Sequence, residues 1–446
     1  MKERTFWWLV AALVAVRLVL MATVPVFEPS EARYAAISAN MARSGDFVIP
    51  RFTHNLEYQS FDGKPPLVFQ TGGLFCKAFG VCEFAVRLFP FLSAVLLLAI
   101  LYRTVRRFSD AATGRLAVLV CASCTAFYAA AGISMTDMTL TCCVAGALLL
   151  YRCFLDGFAL RDAAGVAVLL GAGMITKGPV SLVMFGLPVL VDAIVNRRGR
   201  GIFNWKWLAV APLYLLVAVP WFVLVEQRNP GAVLYFFYNE NFLRFVSHDY
   251  GDKYGAGREA FRGVSVLWAL VATLPWSLVP LWQFVRCRLL KSPNPPIPQS
   301  PNHPITQSPN FNWKSFSFLA LLAIVGFWCL TSRVLLYYLF PVVPLFAAWL
   351  VLSVKRESLA RLAVPCVGVT ILVLVGGMFC GMFCSDKMLG ARTPFHPLEN
   401  HYAYEFYHGR PSEKTLEKCR AAKAAYLKQR EERKAVEAAA RKAAEK

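Results

Sequence analysis

Residues 91–102 read "FLSAVLLLAILY", and the chain turns basic at once in "YRTVRRFSD" (102–110). A bilayer interior accepts few charges and offers the backbone no hydrogen-bond partner, so an uncharged run edged by arginine predicts a membrane-crossing helix. The same grammar recurs in "LAVLVCASCTAFYAAAG" (116–132) and "VPCVGVTILVLVGGMF" (364–379). These runs reach or approach the roughly 20 apolar residues that span hydrocarbon. Composition agrees: 57% of residues are hydrophobic and only 17% charged, where a soluble domain carries about a quarter charged. The expected fold class is an all-α polytopic membrane protein.

About eleven spans are expected, near 6–24, 83–102, 116–132, 138–155, 163–176, 179–195, 207–225, 264–284, 316–331, 334–353 and 362–382. The first, although preceded by "MKER", reads as a retained span because Pro25, Phe27 and Pro29 follow it in place of a small-residue cleavage site. The basic connections "YRTVRRFSD", "NRRGRGIFNWKW" (196–207), "VRCRLLK" (285–291) and "VKRESLAR" (354–361) all fall on the side of the N-terminus. That is the positive-inside pattern and puts them in the cytoplasm. The formal charge of +20 is thereby explained by attraction to membrane lipids, and no nucleic-acid partner is expected. Most of the thirteen cysteines, among them Cys121, Cys124, Cys142 and Cys143, lie inside apolar runs. They read as small packing residues, and no metal site is expected from them.

Residues 1–291 form an N-terminal membrane bundle with long outer loops at 25–82 and 226–262. A Pro/Ser/Asn-rich cytoplasmic linker with three SPN repeats occupies 292–315. C-terminal membrane helices fill 316–385, and a polar tail at 386–446 ends in a solvated basic helix. An odd span count puts the tail outside, whereas its basic excess suits the cytoplasm.

Inner loops read as short and basic, without carboxylate clusters. Outer loops mix acids, bases and aromatics, so chemistry belongs on the outer face. In "FEPSEARYA" (27–35), Ser30 is a candidate N-cap, and Glu31 suits the positive end of a helix. This stretch is either a capped interfacial helix or the edge of an active site. "SFDGKPPLVF" (60–69) holds Lys64 between Gly63 and Pro65–Pro66, as a snorkelling lysine or a phosphate ligand. Asp137 in "ISMTDMTL" (133–140) is an N-cap or a functional carboxylate. Lys177 in "MITKGPVSLV", Arg244 in "NENFLRF" and Arg333 in "LTSRVLLYYLFPVVP" add cations to the same face.

Read in order, "EARYA", "SGDFVIPRF", "FDGKPPL", "TDM", "TKGPV", "FFYNENFLRF" and "SRVLLYYLFPVVPLFA" resemble the GT-C class of membrane glycosyltransferases, in particular the aminoarabinose transferase / protein mannosyltransferase-like group. The resemblance runs over roughly residues 5–350. It implies a multi-span bundle with juxtamembrane helices in the first outer loop. It also implies sugar transfer from a polyprenyl-phosphate (undecaprenyl-phosphate) carrier to a lipid A-like or protein acceptor outside the inner membrane. By resemblance, "SEARYA" starts the first juxtamembrane helix, with Arg33 and Tyr34 in support. Lys64, Lys177, Arg244 and Arg333 would lie near the carrier phosphate, and Asp137 would match an acidic position. Family members often carry Asp immediately before Glu in the first motif, where this chain has Ser30. The carboxylate role then falls to Glu31, Glu28 or Asp137, or the chain is an inactive structural relative.

Transfer of this kind needs no nucleotide site and requires no metal or other cofactor. A transporter or flippase of lipid-linked sugars is the competing reading. It would use ionisable groups deep in the spans, for which Arg17 and Asp192 are the candidates.

Overall fold

The computed structural model describes residues 2–197, 199–246, 254, 259–289, 313–384 and 401–444. The linker expected at 292–315 lies outside the described residues up to 312, as do positions 247–253 and 255–258 of the second outer loop.

Each of the about eleven expected spans contains helix, although 334–353 opens with a short 3-10 turn, Leu336–Leu339, before helix Val342–Ser353. Among the described residues, five helical stretches are long and apolar enough to cross a membrane: Glu3–Thr23, Glu83–Phe108, Thr136–Gly157, Lys206–Arg228 and Arg356–Met378. Their sequences set their places in the bundle. Thr136–Gly157 is predominantly apolar, with small Ala, Gly and Cys residues along it, and is buried along nearly its whole length. It packs against Leu160–Lys177 and Glu83–Phe108 as the central helix. Glu3–Thr23 leaves Trp7 and Trp8 exposed, and Lys206–Ala218 leaves Leu208 and Leu216 exposed. Such apolar outer faces suit a perimeter in contact with lipid.

Other spans are broken, and the breaks answer one another. Helices Ala111–Ala122 and Thr125–Ala130 part at Ser123–Cys124. Helices Val264–Ala272 and Leu278–Leu289 part at 273–277. Thr125 N–H donates to the Leu274 carbonyl at 2.9 Å. The fully buried Trp276 donates Nε1–H to Ser123 Oγ at 2.9 Å, and Thr370 donates Oγ1–H to the Ser123 carbonyl at 2.6 Å. Backbone groups freed by the breaks are thus satisfied within the bundle, as hydrocarbon demands.

The first outer loop folds into a small unit of its own. Helix α1 (Glu3–Thr23) leads into α2 (Ser30–Ser44). A hairpin of β1 (Arg51–His54) and β2 (Glu57–Ser60) follows, then α3 (Leu67–Phe79) and α4 (Glu83–Phe108). Helices α2 and α3 are the juxtamembrane pair that the resemblance implies. They approach closely because Gly72 faces Ser38, whose Oγ would lie 2.7 Å from an added Cβ. The two strands were not expected. Asn55 and Leu56 turn them with φ of 51° and 66°, the left-handed pair of a two-residue hairpin turn. Leu56 carries an unusual conformation for its type, and its side chain is buried with Leu416 and Cys419.

That contact corrects the reading of the tail. Helix His401–His408 is no solvated appendage, because Ala403 and Phe406 are fully buried against α2 and β1. Glu405 accepts from Thr53 N–H at 2.8 Å and from Asn40 Nδ2–H at 2.7 Å. Arg43 donates to the carbonyls of Glu405 and Phe406. This part of the tail therefore packs on the same face as the loop at 25–82. Among the described side chains of helix Glu413–Ala444, those up to 432 are mostly exposed and basic in character, as expected.

The opposite face also departs from expectation. Asp156 and Asp162 lie among its arginines, with Arg107 Nη2 at 2.9 Å from Asp156 and Arg103 Nη2 at 3.2 Å from Asp162. The carboxylates balance part of the basic charge there.

Candidate active site

The cations singled out from sequence stand far apart in the chain and meet in space. Lys64, Lys177, Arg244 and Arg333 line one cavity of about 310 Å³, whose apolar wall includes Val180, Val183, Phe327 and Trp328.

Lys64 leaves the hairpin just ahead of α3, between Gly63 and two prolines that stiffen its backbone. Its Nζ donates to the Gly63 carbonyl at 2.7 Å and lies 3.5 Å from Glu240 Oε2. Burial lowers its pKa to about 8, against the pull of Glu240, so a buried lysine still titrates near neutrality. Lys177 ends helix Leu160–Lys177. Its Nζ donates to Asp137 Oδ1 at 2.5 Å and stands over the rings of Tyr338 (4.4 Å) and Tyr337 (5.6 Å). The next residue, Gly178, has φ +79°, and an added Cβ would lie 2.5 Å from the Phe236 ring. Glycine is thus required for the Lys177 corner to approach the segment that bears Arg244.

Arg244 follows a π-helical stretch, Tyr235–Leu243, a geometry common at functional sites. Its Nη1 lies 3.0 Å from Glu240 Oε2. Arg333 pairs with Glu259 at 3.2 Å and directs Nη1–H to the Arg244 carbonyl at 3.5 Å.

The three candidate carboxylates separate sharply. Asp137 is 4% exposed at the start of Thr136–Gly157, joined to the cavity through Lys177. Among the described residues Lys177 bonds its Oδ1 and no hydrogen bond reaches Oδ2. Glu31 is 2% exposed and closed on all sides. Arg87 Nε and Nη2 reach its two oxygens at 2.8 and 3.0 Å, and the backbone N–H groups of Phe27 and Ser134 donate to it at 2.9 and 3.0 Å. Four hydrogen bonds occupy the lone-pair sites of its carboxylate. In this structure Glu31 fastens α2 to α4. Glu28 accepts the Ala403 N–H at 2.6 Å, capping helix His401–His408, and burial raises its pKa to about 7. Ser30 is the first residue of α2 and not its cap, since the cap position is Pro29 and no side chain caps there.

Arg33 and Tyr34 brace this unit. Arg33 stacks near the rings of Tyr34, Phe61 and Tyr402 at 5.5–5.9 Å, and Tyr34 packs on Phe69 at 5.1 Å. The transporter candidates line no part of this cavity. Arg17 donates to the Ala129 carbonyl beside the Tyr128 ring, and Asp192 accepts from Asn196 Nδ2–H at 2.7 Å.

Glu240 was missed from sequence, although it stands four residues before Arg244, a spacing that pairs side chains on a helix. Arg87 was missed because it lies 56 positions from its partner Glu31.

Residues 63–224 match the family described as dolichyl-phosphate-mannose-protein mannosyltransferase. The chain is 30% identical over 256 residues to the undecaprenyl phosphate-alpha-4-amino-4-deoxy-L-arabinose arabinosyl transferase of Edwardsiella ictaluri, covering 55% of this chain and 45% of that protein. The transferase of the same name from Serratia proteamaculans is 29% identical, with 61% and 50% covered. The chain spans about half the length of these curated relatives. The crystal structure of ArnT from Cupriavidus metallidurans bound to undecaprenyl phosphate superposes with a TM-score of 0.65 at 23% identity. That match covers 91% of this chain and 69% of the other. The fold is shared, and the GT-C, aminoarabinose transferase / mannosyltransferase-like resemblance read from the motifs is borne out.

Proposed function

We propose that this multi-pass membrane protein is a glycosyltransferase that moves a sugar from a polyprenyl-phosphate carrier to a lipid acceptor, with its cavity on the outer side of the inner membrane. The observation that carries this reading is the convergence of Lys64, Lys177, Arg244 and Arg333 on a cavity with an apolar wall. A phosphate attached to a long hydrocarbon chain needs both features together. The names of the relatives point to undecaprenyl phosphate as the carrier and to an aminopentose as the sugar. A lipid A-like glycolipid is the acceptor we favour over a protein.

In the proposed reaction the carrier phosphate lies among the four cations. The bond between the anomeric carbon and the phosphate oxygen breaks, and that carbon bonds to the acceptor oxygen. Lys64 and Arg244 stabilise the charge that grows on the departing phosphate. Asp137 takes the acceptor proton through Oδ2, while Lys177 holds the other oxygen in place. The polyprenyl phosphate then leaves along the apolar wall.

The test is transfer by purified protein in lipid nanodiscs, from an undecaprenyl-phosphate-linked aminopentose to lipid A, comparing the natural sequence with Lys64→Ala and Asp137→Asn. Transfer lost in both variants supports the reading. Transfer indifferent to both overturns it.

A further inference from the structure

Among the described residues, Glu240 is the carboxylate that lies directly on the cavity lining. It is 7% exposed, and its Oε2 is shared between Lys64 Nζ at 3.5 Å and Arg244 Nη1 at 3.0 Å. Its Oε1 accepts from Tyr235 O–H at 3.3 Å. Lys64 and Arg244 hold its pKa below the usual value, against the opposing effect of burial, so it is a fixed negative charge. A site built only to bind phosphate gains nothing from a buried anion at its centre. The other two cations each have a carboxylate of their own, Asp137 for Lys177 and Glu259 for Arg333. Any phosphate oxygen that reaches both Lys64 and Arg244 must come beside Glu240 or displace it.

Resting on the carrier reading above, we infer that Glu240 sets the charge the cavity prefers, favouring a singly charged sugar phosphodiester over the doubly charged phosphate monoester left after transfer. The two ligands differ in just this respect. A diester carries one negative charge at neutral pH, and a monoester, with a second pKa near 6, carries close to two. Repulsion by Glu240 therefore acts about twice as strongly on the spent carrier. At the separations and dielectric of a partly buried site, one extra unit of like charge shifts affinity on the order of ten- to a hundred-fold. Glu240 is in this sense a specificity-determining residue: it admits the loaded carrier and helps expel the empty one.

The experiment measures binding and not turnover. The full chain in phosphatidylcholine nanodiscs is titrated with undecaprenyl phosphate and with its methyl diester, for the natural sequence, Glu240→Gln and Glu240→Asp. Glu240→Gln should tighten undecaprenyl phosphate by ten-fold or more and change the diester far less. Glu240→Asp, which keeps the charge, should retain the natural ratio of the two affinities. An unchanged ratio in Glu240→Gln, or both ligands weakened equally, would mean that Glu240 merely orders Lys64 and Arg244 and would overturn the inference while leaving the carrier site standing. Failure of the natural sequence to bind either lipid would instead bring down the carrier reading, and this inference with it.

Discussion

Arg87 grips both oxygens of Glu31, with Nε at 2.8 Å and Nη2 at 3.0 Å, in a pair almost wholly removed from solvent. The same guanidinium donates to the carbonyls of Met21, Val24 and Pro25. One ion pair thus joins the end of α1, the start of α2 and the outer end of α4, and orders the floor on which the outer unit sits.

Glu31→Gln should therefore act on stability. Breaking a buried pair from one side leaves the other charge uncompensated, at a cost of about 3–5 kcal/mol. The expected outcome is a large fall in melting temperature, with carrier affinity of the remaining folded protein unchanged. A normal melting temperature with abolished transfer would place Glu31 back among the catalytic groups.

Asp137→Asn should give the opposite pattern. The substitution keeps the shape and one acceptor oxygen beside Lys177, so carrier binding survives while transfer falls by about 10²–10⁴-fold, the usual contribution of a general base. Loss of binding and transfer together would assign Asp137 to holding Lys177 only.

Burial brings the pKa of Lys64 down to about 8. Its positive charge is complete below that value and is lost as pH rises through it. Carrier affinity should accordingly fall between pH 7 and pH 9, and Lys64→Arg, which stays charged throughout, should flatten the decline. A flat profile in the natural sequence would contradict the role of Lys64.

Glu28 has the reverse sign. Its pKa is raised to about 7 by burial, so the folded state holds the proton more tightly than the unfolded chain does. Stability is highest below the ordinary carboxyl range and declines as pH rises through about 7. A melting-temperature series should show that decline, and Glu28→Gln should remove it while still offering Ala403 an acceptor oxygen.

Much of the bundle was legible because membrane helices declare themselves locally. Apolar runs, basic flanks and Gly-Pro corners near Lys64 and Lys177 are all read within a few residues. The four cations could be named for the same reason, since lysine and arginine at a membrane edge stand out against apolar neighbours. What escaped depends on partners distant in the chain. Glu31 reads as an exposed acid at a helix start until Arg87, 56 positions on, closes over it. Glu28 and Glu405 acquire their roles only when helix His401–His408 docks on α2. The positive φ of Asn55 and Leu56, which makes the hairpin, carries no strong Gly signal to announce it.

The most direct test of the four-cation cavity as the carrier's phosphate site is saturable binding of undecaprenyl phosphate to the full chain in nanodiscs, measured for the natural sequence, Lys64→Ala and Arg244→Ala. Loss of a charge-assisted contact worth about 1.5–3 kcal/mol predicts an affinity roughly ten-fold or more weaker in the folded protein of each variant. Equal affinity in all three proteins would contradict it.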